Sequence, residues 1–425
     1  MSDGTTLLRT IRARDLVPTR PQPVDAATLT VAAAIVDDVR IRGEAALREH
    51  AQRLDGLPPG APIIIPRAEL DRSLRSLTAH DRELLERTAA QIRAFAQAQR
   101  DCLRELDTTV PGGRAGHTIA PVDRAGCYAP GGRFPLPSSV LMTAVTARVA
   151  GVREVVVASP RPAPITLAAA AVAGADALVP VGGAQAIAAL AHGAGPIPSC
   201  DIIVGPGNRW VTAAKKLVSG SVGIDMLAGP SELVVLADRA ADPALIAADL
   251  LAQAEHDDDA VPTLVTTDAT LIARVEAALR EQLATLPTAP TARRALANGA
   301  SVLCDTLDDA IAACDALAPE HLEVMTADPR AVALRLRHYG AVFIGSRSAE
   351  VFGDYGVGPN HVLPTGRTAR FSGGLSVFTF LRVRTWLEAG GHDRAVAGDA
   401  AALARLEGLE AHARAAQRRA PQLFA

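Results

Sequence analysis

The chain has 425 residues, 49% of them apolar and 21% charged, with a formal net charge of −3. That length exceeds what one hydrophobic core fills, so two or more domains are expected. The charge balance argues against a nucleic-acid binder, and no apolar run reaches the roughly 18–20 residues of a membrane span.

The N-terminus, Met-Ser-Asp-Gly, lacks a basic stretch followed by an apolar core and does not read as a signal peptide. The cysteines at 102, 127, 200, 304 and 314 contain no Cys-x-x-Cys. They read as reduced thiols of a cytoplasmic protein, with Cys127 an inert, partly buried one. Residues 25–50 predict an amphipathic helix interrupted at Gly43, and 68–106 a long helical stretch. From about 150, short β-branched runs alternate with helical segments. These are Glu154–Ser159, Ala177–Val181 and Asp201–Val204, then Leu233–Ala237, Thr263–Thr266, Ser301–Cys304, Glu323–Thr326 and Ala341–Ile344. Such runs suit strands buried on both faces, and the alternation suits parallel sheets. The strands fall into two sets, roughly 127–231 and 232–346, with Ala228–Ser231 as the switch. After Phe378 the pattern reads as helical through Asp399–Arg418.

In open α/β sheets, ligands bind beyond the C-terminal ends of the strands. Three loops there carry glycines: Ala-Pro-Gly-Gly (129–132), Val-Gly-Gly-Ala-Gln (181–185) and Val-Gly-Pro-Gly-Asn (204–208). Glycines let backbone N–H groups approach a nucleotide. None is the full Gly-x-Gly-x-x-Gly fingerprint, since Trp210 takes the third glycine position. Ser138 or Ser139 is placed to cap the helix that follows the first loop. The expected fold is α/β: two parallel-sheet, Rossmann-like domains with an incomplete dinucleotide fingerprint, plus small helical N- and C-terminal segments. Lys215 and Lys216 are the only lysines; every other cation is arginine. An ammonium differs from a guanidinium in shape and hydration, while a solvated helix face is the plain alternative.

Histidine is scarce, ten residues in all. Four of them, His256, His321, His361 and His412, lie beside carboxylates or amides in four short stretches. These are Gln-Ala-Glu-His (253–256), Pro-Glu-His (319–321), Gly-Asp-Tyr…Asn-His (353–361) and Glu407…His412. Imidazole with carboxylate and amide oxygen suits a zinc-type metal and acid–base chemistry near neutral pH. Gln253 and His256 are three apart in a helical run and so share a face. Asp257–Asp259 reads as a solvated helix end, lacking the remaining marks of a calcium loop. Adjacent Glu320 and His321 point in different directions and suit two proton-transfer tasks. Asp354 and His361 flank a Gly/Pro-rich loop. Glu407 and His412, five apart, share no helix face unless the helix ends between them.

With these residues in view, the chain resembles the histidinol dehydrogenase family over essentially its whole length. The most specific stretches are Pro-Gly-Gly…Pro-Ser-Ser-Val-Leu-Met (130–142), Gly-Gly-Ala-Gln-Ala-Ile-Ala (182–188) and Gly-Pro-Gly-Asn (205–208). To these add Asp-Met…Ala-Gly-Pro-Ser-Glu (225–232), Gln-Ala-Glu-His, Ala-Pro-Glu-His-Leu-Glu (318–323), Gly-Pro-Asn-His-Val-Leu-Pro-Thr (358–365) and Glu-Gly-Leu-Glu-Ala-His (407–412). Leu227 departs from the family's usual proline without removing a ligand. Cys127 and Phe134-Pro135-Leu136 vary a loop near the cofactor.

The resemblance implies oxidation of L-histidinol to L-histidine in two NAD-dependent steps through a hydrated aldehyde, the last steps of histidine biosynthesis. It implies one zinc ion per subunit, held by Gln253, His256, Asp354 and His412, which anchors substrate rather than carrying the redox chemistry. Glu320 would activate water and His321 accept protons. Ser231, His361 and Glu407 would join the metal ligands and His321 in gripping L-histidinol. Tyr128, Gln185 and Asn208 would contact NAD. The division implied is an N-terminal segment 1–23, a discontinuous α/β domain of 24–126 and 232–378, an NAD-contacting domain of 127–231, and a helical tail 379–425. The tail would reach the partner subunit of an intertwined homodimer with shared active sites. A paralogue oxidising another small polar alcohol, such as a sulfonated diol, is the nearest alternative; the intact grip residues favour histidinol. A metal-dependent hydrolase would not need the glycine loops or Asn208. A non-catalytic NAD scaffold would not need ligands from four segments.

Overall fold

The computed structural model describes residues 6–18, 22–131, 134–389 and 394–419; Gly132 and parts of the expected N-terminal segment and tail lie outside them. Contacts divide the described residues into two units. One takes those up to Ala98 together with Val122–Phe380; the other takes Gln99–Pro121 and those from Leu381 onward.

The larger unit holds two six-stranded sheets. The first runs Ile65–Pro66, Ala177–Val179, Glu154–Ala158, Arg124–Tyr128, Ile202–Val204, Gly223–Ile224. Its neighbours are parallel except the pair at the Ile65–Pro66 edge. The second, wholly parallel, runs Arg9–Arg12, Ala300–Leu303, Val261–Thr266, Glu232–Ala237, His321–Met325, Ala341–Ile344. Leaving aside the edge strand that each takes from the N-terminal part of the chain, both sheets have the same order. The chain moves outward twice from a first strand, then returns to that strand's other side. Each sheet therefore has a topological switch point beside its first strand.

The β-branched runs become these strands because both faces are covered: Val155, Val157, Leu233, Val235, Leu264, Val302, Leu322 and Val324 are all buried. The helix Pro137–Ala150 is buried from Ser139 through Ala147 and so is apolar nearly all round. It starts on Pro137 with no side-chain cap, so neither Ser138 nor Ser139 plays that part. The predicted helix at 25–50 forms as Ala26–Arg42 and Glu44–His50, with Asp25 capping the first and Gly43 at positive φ between them.

Two expectations are corrected at the ends of the chain. The N-terminal segment is not an isolated helical piece, because Arg9–Arg12 forms an edge of the second sheet. The tail is not purely helical. Leu381–Ala389 pairs antiparallel with Gly113–Pro121, which pairs with Leu106–Val110, in the three-stranded sheet of the smaller unit. Helices Arg394–Leu406 and Glu410–Arg419 follow. The packing also differs from the implied division. Val36, Leu47 and Ile63 share a core with Val156, Ile187 and Ile203, so 24–66 packs on the first sheet rather than with 232–378. The apolar stripe of Ala26–Arg42 is used against the helices Gly183–His192 and Arg209–Val218.

Seven residues, Asp225–Ser231, link the end of Gly223–Ile224 to the start of Glu232–Ala237. Such a link reaches at most about 25 Å. It thus holds the C-terminal end of one sheet near the N-terminal end of the other. Among the described residues, no helix is long and apolar enough to cross a membrane.

Candidate active site

The three glycine loops lie at the C-terminal ends of the first sheet's strands, where the fold rule expects a ligand. Tyr128 ends its strand and is buried; its hydroxyl accepts from the Gly183 N–H at 3.2 Å. Burial pushes its phenol up to about 12. Gln185, also buried, donates to Asp55 at 2.9 Å, and Asp55 accepts from the Gly182 N–H at 3.2 Å. Asp55 was not anticipated; it fixes the turn from which Gln185 projects. Asn208 caps the helix Arg209–Val218 by accepting from Trp210 and Val211, and remains exposed. A Cβ on Gly205 would collide with the Tyr128 carbonyl oxygen, so two strand ends approach as only glycine permits. Cys127 is fully buried, which pushes its thiol up to about 12 and keeps it inert.

The second sheet departs from the same rule. Its polar residues gather at the N-terminal ends of its strands: Ser231 and Glu232 open one, Glu320 and His321 another, and His256 precedes a third. The helix Pro243–Ala254 ends at Ala254, so Gln253 lies on its last turn and His256 just beyond it, not together on a helix face. Gln253 is fully buried and its amide faces His256 Nδ1 at 3.3 Å, while its Oε1 has no hydrogen-bond partner. His256 Nε2 is 4.0 Å from Asp354 Oδ2. Its side chain is still 36% exposed, yet crowding by neighbours lowers its pKa. The exposed Asp257–Asp259 run caps its own turn and pairs through Asp258 with Arg294, as a solvated helix end does. Asp354 sits on a short helix, Glu350–Tyr355, so the stretch after Gly353 is helical before it becomes a loop. Burial raises Asp354 to about 7. His361 Nδ1 donates to the Asp354 carbonyl oxygen at 3.2 Å, and burial lowers this imidazole to about 4.

Glu350 was missed by sequence reasoning. Ligand atoms of His256, Glu350 and Asp354 lie within 4.8 Å of one another. Glu350 is 3% exposed and neither of its carboxylate oxygens accepts a hydrogen bond. An ionised carboxylate buried without a partner costs several kcal/mol, so this site calls for a cation or a proton. Burial accordingly raises Glu350 well above the usual carboxylate range. Its position, four residues before Asp354 on one helix, was the available signal.

The acid–base pair adjoins this cluster. His321 Nδ1 donates to the Glu232 carbonyl oxygen at 3.3 Å and lies 3.6 Å from Glu350 and 3.7 Å from Glu320. This leaves Nε2 as the lone-pair nitrogen, buried and without a partner, beside a cavity of about 300 Å³ also lined by Phe343, Asp354 and His361. Burial lowers His321 to about 3, so the ring is neutral at ordinary pH. Glu320 accepts from the Glu232 N–H at 3.0 Å; burial nonetheless raises it well above the carboxylate range.

A model of the family described as histidinol dehydrogenase matches residues 19–420. Histidinol dehydrogenase of Thermus thermophilus is 48% identical over 384 residues, 89% of this chain and 92% of the relative. That of Bordetella parapertussis is 46% identical over 402 residues, 92% and 90% of the two chains. The crystal structure of histidinol dehydrogenase from Elizabethkingia anophelis superposes with a TM-score of 0.92 at 29% identity, covering 99% of this chain and all of that one. The chain belongs to the histidinol dehydrogenase family.

Within this family member, Gln253, His256, Asp354, His361, Glu320, His321 and Ser231 all lie in the larger unit around the second sheet's N-terminal end. Glu407 and His412 belong to the smaller unit and are exposed. The helix ends at Leu406, just before Glu407, and a new one beginning at Glu410 carries His412, so the two share no helix. Glu323 and Asp249 were also missed. Glu323 accepts the Glu350 N–H at 2.7 Å, securing the start of the helix that carries Glu350 and Asp354. Burial, then the charge of nearby Asp249, raises the Glu323 carboxyl to about 9.

Proposed function

We propose that the protein is a histidinol dehydrogenase, oxidising L-histidinol to L-histidine with NAD in the last steps of histidine biosynthesis. Family membership over residues 19–420 carries this reading, and the neutral, partner-free Nε2 of His321 beside a metal-type cluster supports it. The orphaned oxygens of Gln253 and Glu350 and the His256–Asp354 pair fit a divalent cation of zinc type. Gln253, His256 and Asp354 would hold it, with His412 as a further ligand. The glycine loops with Tyr128, Gln185 and Asn208 fit NAD. Bound NAD supplies the hydride acceptor, and a bound metal supplies a positive centre that anchors the substrate's amine and imidazole. His321 Nε2 takes the hydroxyl proton of the alcohol as hydride leaves carbon, and later that of the hydrated aldehyde. Glu320, once ionised, takes a proton from the water that adds to the aldehyde; burial raises its carboxyl, so that form grows as pH rises. Ser231, His361 and Glu407 orient the substrate. NADH formation on histidinol, compared with small polar alcohols including sulfonated diols, is the test. Turnover of another alcohol in preference to histidinol would move the chain to a paralogous activity.

The finer proposal is an intertwined homodimer in which Glu407 and His412 complete the partner's site. Mixing His256→Ala with His412→Ala under subunit exchange should then restore activity. In a mixed dimer one site collects both defects and the other none, so each reaches up to half of wild type. A mixed dimer shown to form without recovered activity would mean that His412 serves its own chain.

A further inference from the structure

Lys215 is among the largest fully buried side chains of the described residues, 2% exposed. It lies on the helix Arg209–Val218, next to exposed Lys216. Its ammonium donates to the Gly205 carbonyl oxygen at 3.0 Å and forms an ion pair with Asp225, itself 1% exposed at the side chain. Asp225 in turn accepts from the Gly205 N–H at 2.7 Å and from the Met226 N–H at 2.6 Å. Both backbone polar groups of Gly205 are therefore held by one buried pair of charges. Asp225 begins the seven-residue link to Ser231, and Thr212 of the same helix donates to the Ala228 carbonyl oxygen in that link at 2.9 Å.

A buried ion pair is a poor source of stability, because desolvation offsets the attraction. Its use here is geometric. One compact ammonium reaches a carbonyl and a carboxylate at once, which a planar guanidinium fork does not match. That accounts for a lysine in a chain whose other cations, Lys216 apart, are all arginine.

We propose that Lys215 and Asp225 are a positioning pair for the dinucleotide, clamping Gly205 so that the loop 205–208 keeps its place against the link that carries Ser231. The proposal rests on the reading of that loop as an NAD contact. It makes the pair matter to cofactor binding and not to the metal or to histidinol.

The test uses the full-length, metal-loaded protein. Lys215→Met with Asp225→Asn removes both charges together and leaves no unpaired buried ion. NADH affinity by fluorescence titration should fall about 10- to 100-fold, the loss expected when one hydrogen bond to a charged group is misplaced. KM for NAD should rise with it, while metal content, KM for histidinol and kcat at saturating NAD stay within about twofold. A folded double variant with NADH affinity within twofold of wild type overturns the proposal. So does a parallel loss of metal and histidinol binding, which a merely structural pair would give. Asn208→Asp separates the two readings, because aspartate keeps the helix cap but repels a dinucleotide's phosphates. Unchanged NADH affinity in Asn208→Asp removes the cofactor reading and the proposal together. Weakened affinity there, with none in the double variant, removes the proposal alone. If the double variant does not fold, Thr212→Val, which cuts a second tie between the same helix and link, decides. A smaller loss of NADH affinity supports the clamp, and no loss overturns it.

Discussion

His321→Gln slows the oxidation of histidinol and the oxidation of its aldehyde alike, each by about 10²–10⁴, the usual loss for one acid–base group. The expectation follows from the tautomer. Nδ1–H is committed to the Glu232 carbonyl oxygen, so Nε2 carries the lone pair toward the cavity. Glutamine has no basic nitrogen to replace it. Glu320→Gln behaves differently. Alcohol oxidation, followed with histidinol under single-turnover conditions, is largely preserved, while conversion of supplied histidinaldehyde to histidine drops by a similar factor. Because Glu320 also accepts the Glu232 N–H, glutamine keeps that bond through its carbonyl and limits structural damage. Equal losses in both half-reactions for both variants would show that the two residues do not divide the proton transfers.

The second large effect is on the metal. His256→Ala should empty the site and remove nearly all turnover without unfolding the chain, since His256 is partly exposed and supports no core. Metal content after dialysis against a chelator checks this directly; a metal-free preparation with full activity would sink the assignment. The carboxyls give the pH dependence its sign. Asp354 and Glu232, both raised to about 7, and Glu323, raised to about 9, bind protons more readily folded than unfolded. Between the unfolded carboxyl range and these native values the folded chain holds more protons than the unfolded one, so the stability of the metal-free protein falls as pH rises toward them. His321 and His361, lowered to about 3 and about 4, act oppositely but only below 6.5, where an unfolded histidine begins to take up its proton. Between about pH 6.5 and 9 the carboxyls therefore decide, and the metal-free melting temperature should decline across that interval. Metal affinity runs the other way, weakening on acidification below about 7 as Asp354 takes up the proton that a cation must displace. A metal-free protein that melts higher at pH 9 than at 6.5 would contradict the burial of these groups.

Most strands of the sheet interiors were legible because burial on both faces leaves continuous β-branched runs; the expected Leu233–Ala237 forms as Glu232–Ala237. One missed strand, Arg124–Tyr128, is central and buried, but its Arg-Ala-Gly-Cys-Tyr holds no β-branched residue; the other missed strands lie at edges or carry water on one face. Ile65–Pro66 and Gly223–Ile224 have two residues each, too few for any period. Leu381–Ala389 did carry a period-two signal, with Arg382 and Arg384 alternating against Leu381, Val383 and Thr385. In the site, the histidines were legible by their scarcity. Glu350, Glu323, Asp249 and Asp55 were not, since a carboxylate in a chain with 46 of them attracts notice only once the fold buries it.

The edge strand Arg9–Arg12 has a consequence for synthesis. Its partner, Ala300–Leu303, is translated nearly three hundred residues later. At roughly 5–20 residues per second, that is a wait of about 15–60 s. During that wait a short, unpaired strand must stay out of wrong pairings on the ribosome, and its arginines at both ends hinder them, as charges on a strand edge do. Once Ala300–Leu303 emerges, its sister is already waiting, so the open side of the second sheet is closed as soon as it exists. A chain shortened past Arg12 would leave that side bare, with Ser301 and Val302 offering their backbone to the next molecule.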